Sequence, residues 1–167
     1  MRNLLYLKRN AARVVLLDNK KRIFLVNAED PLDPFKEAWW EIPGGGISRG
    51  EDSASAAERE LFEETGIESI EMGPVIWTQH VQFTFGGYNF DSYEKIHVAW
   101  CEGGEYRPQA LEALEAAAFL GARWWGLQEL LTSQVPVLPA LLREHLSPII
   151  FGDLPSEPVD ISPVQLD

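Results

Sequence analysis

Cysteine is almost missing from this chain. Cys101 is the only one in 167 residues, which excludes an intrachain disulfide and a cysteine-built zinc site. Such usage fits a reducing compartment, and a cytoplasmic location is expected. Positive charge is also scarce, with 14 Lys and Arg against 26 Asp and Glu and a net charge of −12. Nucleic-acid polymers are gripped through clustered Lys and Arg on their phosphates, so no such polymer is the expected partner. A small nucleotide stays open, because a bound divalent cation can supply positive charge where it is needed. Long apolar runs are lacking too. None approaches the ~18 residues that suggest a membrane span, and Arg2, Lys8, Arg9 and Arg13 interrupt the stretch where a signal peptide would be apolar. No membrane partner is expected. The histidines, His80, His97 and His145, have no metal-ligand spacing, and no role is assigned to them.

What is present reads as an ordinary folded globule: 46% hydrophobic, 11% aromatic and 24% charged residues leave no reason to expect disorder. The length suits one domain, expected over residues 1–150, with a Pro-rich tail over 151–167. No internal repeat or interdomain linker is visible. AARVVLL at residues 11–17 and IFLVNA at 23–28 are β-rich runs around a polar turn. Their largely continuous apolar character implies strands covered on both faces, as in a sheet between helices. Residues 29–38, with two prolines and several charges, form a loop before the chain returns at Trp39. Phe35, Trp39 and Trp40 are candidates to stack on a base from there, against the plainer role of filling core. Further on, 75–85 and 95–101 read as an antiparallel pair turning at Gly86-Gly87, 110–120 as a helix with Glu112 and Glu115 exposed, and 123–127 as a strand. Residues 136–145 read as a helix opening near Pro136, and the chain from Ser147 onward as an extended tail that is either disordered or covers a sheet edge.

The chain is organised around residues 44–67, GGGISRGEDSASAAERELFEETGI. A glycine turn runs into a helix that Asp52 can cap and Gly66 can end. Ala54, Ala57 and Leu61 give it a narrow apolar stripe. Glu60, Glu63 and Glu64 then share an arc beside that stripe, with Arg59 one turn before Glu63 and able to orient it. An acidic helix alone would face water, but like charges one turn apart repel, and the glycine turn has no purpose in a plain surface helix. Clustered carboxylates on a rigid helix suit Mg²⁺ or Mn²⁺, which prefer oxygen ligands and share them with phosphate. Metal-assisted attack on phosphorus needs charge neutralisation, a positioned water and a carboxylate to take its proton.

Gly45, Glu51, Arg59, Glu60, Leu61, Glu63, Glu64, Gly66 and Ile67 match every fixed position of G-x5-E-x7-R-E-U-x-E-E-x-G-U, with U a bulky aliphatic residue. The stretch resembles the Nudix box. That resemblance implies a Nudix-type αβα sandwich with a mixed central sheet, and a hydrolase that cleaves a nucleoside diphosphate linked to another moiety with Mg²⁺ or Mn²⁺ bound. By position, Glu60, Glu63, Glu64 and the Gly44 carbonyl would be metal ligands. Glu60 or Glu64 would be the general base or orient it, Arg59 would orient a glutamate, and Glu51 would support the loop and the metal shell. Gly44, Gly45, Gly46, Phe35 and Trp40 are the expected substrate contacts. A further carboxylate of the kind many relatives carry would come from Glu112, Glu115 or Glu105. The partner expected is a small nucleoside diphosphate derivative, with a homodimer in keeping with relatives. The alternative is a catalytically silent domain that senses nucleotides or acts as a scaffold.

Overall fold

A computed structural model describes residues 5–164. Among these, β1 (Tyr6–Leu17), β2 (Arg22–Ala28), β3 (Trp39–Glu41), β4 (Gly44–Gly46), β5 (Glu71–Phe85), β6 (Tyr88–Trp100), β7 (Phe119–Gly126), β8 (Val137–Leu138) and β9 (Val159–Asp160) join one mixed sheet in the order β8-β3-β2-β1-β6-β5-β9, with β4 added to β1 and β7 to β2. β1 (Tyr6–Leu17) and β2 (Arg22–Ala28) are antiparallel neighbours across the expected turn. β1 also runs parallel to β6 (Tyr88–Trp100) along its whole length. β5 (Glu71–Phe85) and β6 form a long hairpin through Gly86-Gly87, so the second strand of that pair begins well before residue 95. β3 (Trp39–Glu41) and β4 (Gly44–Gly46) return from the loop, and β7 (Phe119–Gly126) lies along β2.

The apolar run of β1 is divided between two cores by its pleat. Val15 and Leu17 join a cluster with Leu130, Leu142 and Leu146, whereas Val14 and Leu16 join one with Ala56, Ala57 and Leu61. Side chains of a strand alternate between faces, so a run that is apolar at consecutive positions needs cover on both. That cover is α1 (Ser53–Thr65) on one side, and α3 (Leu127–Thr132) with α4 (Leu142–Ile150) on the other. The architecture is the mixed α/β sandwich expected.

α1 begins and ends where the residues require. The Asp52 carboxylate accepts from the Ser55 N–H at 2.7 Å, satisfying a first-turn donor, and Gly66 ends the helix at φ 69°. Its buried face is rotated from the one expected. Ala56, Ala57, Leu61 and Thr65 face inward together with Glu60, while Ala54 is only half-buried.

The C-terminal third departs further from the sequence reading. The segment 136–145 is not one helix: β8 (Val137–Leu138) pairs with Trp40 and Glu41, and the helix starts at Leu142 and continues past Ser147 to Ile150. The helix read at 110–120 shortens to α2 (Ala113–Ala118). The tail is extended, and β9 (Val159–Asp160) covers the edge of β5; the last part of it, 165–167, lies outside the described residues. No helix among the described residues is long and apolar enough to cross a membrane.

Candidate active site

Glu60 and Glu64 of α1 reach a cleft of about 820 Å³ beside the glycines of β4. A Cβ on Gly45 would stand 2.6 Å from the Glu60 Cδ and Oε1. Glycine at that position therefore lets a glutamate carboxylate lie against the backbone. One residue earlier, the Gly44 N–H donates to Glu64 Oε2 at 3.2 Å. The turn and the helix thus form one unit, with Gly44, Gly45, Gly46, Arg59, Glu60 and Glu64 all lining the cleft.

Arg59 ties this unit together. Its Nε and Nη2 donate to the two Glu51 carboxylate oxygens, both at 3.0 Å, and Nη2 also reaches the Gly46 carbonyl at 3.0 Å. Nη1 donates to Glu60 Oε1 at 2.9 Å and only marginally to Glu63 Oε2, at 3.4 Å. The expected contact with Glu63 is thus present, and among the helix glutamates Arg59 holds Glu60 more closely. Glu51 gains a third bond from the Ser48 N–H, and these donors pull its carboxyl down to about 2. Glu51 and Glu63 stand behind Arg59 and do not line the cleft.

The cleft carboxylates shift the other way. Burial raises Glu60, an effect that Arg59 only partly offsets. Glu64 lines the cleft partly exposed, and desolvation together with the charges of Glu60 and Glu41 pushes it well above the usual range. From the far side α2 brings Glu115, expected in solvent but half-buried here, which burial and the Glu60 charge push up to about 7. The Glu60 charge thus raises both Glu64 and Glu115, an effect that a bound cation would oppose.

This donor set fits an ion such as Mg²⁺ or Mn²⁺. Glu60 Oε2 is buried without a hydrogen-bond partner, and the available groups are hard oxygens. Among the described residues no three acidic, His or Cys side chains form a complete ligand group, and Arg59 bonds Glu60 Oε1 and Glu63 Oε2. Glu60 and Glu64 would hold the ion, with water and substrate phosphate completing the shell, as Mg²⁺ commonly requires.

One prediction follows from Glu115. An acid whose folded pKa is raised favours the folded state while protonated. Its contribution is full below the unfolded value near 4.5 and is lost as pH rises toward about 7. With a chelator present, the parent should therefore lose more melting temperature between those limits than Glu115→Gln does. Parallel melting curves would contradict the assignment.

The aromatic expectations need correction. Phe35 is 97% exposed and outside the cleft, and Trp40 packs edge-on against Trp125 with centroids 5.1 Å apart. Trp39 is the one of the three that lines it, beside Phe85 at 6.2 Å. Glu112 also lines the cleft, and Glu105 does not. No histidine lines it. His97 bridges Ser53 Oγ and the Gly73 carbonyl, each at 2.9 Å, His80 pairs with Asp91 and stacks on Tyr93, and His145 meets Trp77.

The cleft floor holds residues the sequence reading did not select. Arg13 Nε donates to Glu94 Oε1 at 2.8 Å, where Gln79 Nε2 also donates at 2.7 Å. Burial alone would lower Arg13 and raise Glu94, but their mutual charge reverses both shifts. Arg9 donates from Nε to Ser92 Oγ at 3.1 Å and lies over the rings of Phe83 and Phe90, 5.3 and 5.1 Å from their centroids. Arg13 is the one charge in the run at residues 11–17, which marks the position but not its distant partner.

A mixed α/β sandwich with a glycine turn holding helix carboxylates over a cleft defines the class of this protein. The Nudix domain model matches residues 7–145, and the chain belongs to the Nudix family. An RNA pyrophosphohydrolase of Pelagibacter ubique is 38% identical over 64 residues, 38% of each chain. The chloroplastic Nudix hydrolase 26 of Arabidopsis thaliana is 34% identical over 97 residues, 58% of this chain and 40% of that one. The matched stretches thus span well under half the length of these two curated relatives. Among solved structures, a Nudix hydrolase from Nitrosomonas europaea shares the fold at TM-score 0.61 and 15% identity, over 95% of this chain and 82% of that one. An ADP-ribose pyrophosphatase from Streptococcus suis does so at 0.58 and 14%, over 91% and 97%.

Proposed function

We propose that this chain is a Mg²⁺- or Mn²⁺-dependent pyrophosphohydrolase that cleaves a nucleoside diphosphate linked to another moiety, acting in the cytoplasm. The observation that carries this reading is the approach of Glu60 and Glu64 to one cleft wall formed by Gly44, Gly45 and Gly46. When bound, the cation neutralises phosphate oxygens and activates water. The chain's own groups do the rest. Glu60 and Glu64 hold the ion, Arg59 keeps Glu60 in place, and Glu51 keeps Arg59 in place. Glu115 faces the same cleft and, with its carboxyl near 7, is suited to take a proton from an attacking water, as are Glu60 and Glu64 on their own helix. Gly46, whose Cβ position is open, leaves space for a diphosphate to approach the backbone, and Trp39 and Phe85 offer apolar faces to the rest of the substrate.

The names of relatives suggest the panel: ADP-ribose, nucleoside triphosphates and a short 5′-triphosphorylated RNA, each with Mg²⁺, Mn²⁺ or a chelator. Hydrolysis of at least one small nucleotide, abolished by the chelator, is the expected outcome. Nucleotide binding without any metal-dependent phosphate release would instead favour a silent sensing domain. Preference for the RNA would remove the expectation of a small-molecule partner.

A further inference from the structure

Residues 159–163 lie beyond the segment that matches the family model, yet one of them, Pro163, lines the cleft. β9 pairs parallel to β5 through Val159↔Trp77 and Asp160↔Thr78. The Ile161 N–H then donates to the Thr78 carbonyl at 2.9 Å, and the His80 N–H to Ser162 Oγ at 2.8 Å. Asp160 Oδ1 accepts from the Ser162 N–H at 2.8 Å and from its hydroxyl at 2.6 Å, which closes a local turn. Ile161, 1% exposed, is a member of the core cluster that contains Trp77 and Ile96. This is a segment held by ladder bonds, a side-chain turn and a buried anchor.

Its direction matters. Because the pairing is parallel, the chain after Ile161 follows β5 toward its cleft residues Gln79 and Val81. Pro163, which has no N–H to extend the ladder, lies in the cleft wall beside them. In the sheet, β9 and β4 are separated by β5, β6 and β1. Four strand spacings of ~4.8 Å place the tail up to roughly 19 Å along the sheet from the glycine turn. A substrate whose phosphates sit at Glu60 and Glu64 would extend its other end toward Pro163.

Resting on the function proposed above, we infer that the C-terminal segment is a specificity-determining wall of the cleft. Pro163, positioned by the Ile161 anchor, packs against the apolar face of the nucleoside in a nucleoside diphosphate derivative. Selection of the non-reacting end of the substrate would then lie partly outside the family segment.

The test compares the parent with Pro163→Asp, which leaves the Ile161 anchor in place, and with deletion of residues 159–167. For the best nucleotide of the panel, Pro163→Asp should raise KM about 10-fold or more while kcat stays within about 3-fold, the pattern of lost uniform binding. Inhibition by metal-complexed inorganic pyrophosphate should change by less than about 3-fold, because a charge that far away is screened at ordinary ionic strength. The deletion should match or exceed the KM effect, with circular dichroism confirming its fold. An unchanged nucleotide KM in Pro163→Asp, or an equal weakening of pyrophosphate, would overturn the proposal and leave the hydrolase reading intact. If the parent hydrolyses nothing, ADP binding decides: weaker binding by Pro163→Asp upholds the wall while the catalytic reading fails. Equal binding, or none by the parent, rejects the wall as well.

Discussion

Glu64→Gln should lower kcat by at least about 100-fold, on the scale of losing a metal ligand or its support. The substitution is nearly isosteric and keeps an oxygen able to accept from the Gly44 N–H, now at 3.2 Å from Glu64 Oε2. What it removes is the charge. In the parent that charge is unfavourable without a cation, since burial and the neighbouring Glu60 and Glu41 keep the carboxyl protonated well beyond its normal pH. The sign for stability is therefore opposite to the sign for activity. A raised acid favours folding while protonated and loses that contribution as pH climbs through its folded value. Metal-free Glu64→Gln should consequently melt at or above the parent temperature at neutral pH, whereas Mg²⁺ or Mn²⁺ should raise the parent's melting temperature more than the variant's. Turnover measured beside melting curves with and without metal separates a lost ligand from a damaged fold. Equal turnover by the two proteins would remove Glu64 from the mechanism, and an equal metal-induced gain would remove it from the ion.

Local chemistry made the centre of the molecule legible in the sequence. Asp52 and Gly66 bound α1 because a cap and a left-handed stop act within a few residues. The turn at Gly86-Gly87 was readable for the same reason. Long-range partners were not. Val137–Leu138 becomes a strand because Trp40 and Glu41 offer it an edge, nearly a hundred positions earlier in the chain. Arg13 is stabilised by Glu94, 81 positions away, so nothing beside it announces a buried ion pair. The rotated face of α1 has a related cause. Periodicity counts a glutamate as outward-facing, but Glu60 turns inward because Gly45 and Arg59 receive it. That shift moves the buried stripe from Ala54 to Ala56. Glu115 was named among the possible further carboxylates, yet its half-buried place depends on how α2 closes over α1's carboxylates, which a helical pattern does not encode.

Gly45→Ala should cost about 10- to 100-fold in kcat/KM without unfolding the protein, the range seen when a group that orients a metal ligand is disturbed. The added methyl would lie 2.6 Å from Glu60 Cδ and Oε1 and 2.7 Å from Oε2. A flexible surface carboxylate would swing aside at little cost. Glu60 is 6% exposed and held by Arg59 at 2.9 Å, so moving it breaks that bond and leaves Arg59 to Glu51, Glu63 and the Gly46 carbonyl. Gly46→Ala separates this contact from a general stiffening of the turn, because its Cβ would meet nothing within 4 Å, and it should lose several-fold less. The decisive comparison is a double-mutant cycle with Glu60→Gln. If Gly45 acts by making room for Glu60, the loss in Gly45→Ala/Glu60→Gln should be close to that of Glu60→Gln alone, since residues in one contact network are not additive. Additive losses would mean that Gly45 serves the substrate directly and that its closeness to the Glu60 carboxylate is incidental.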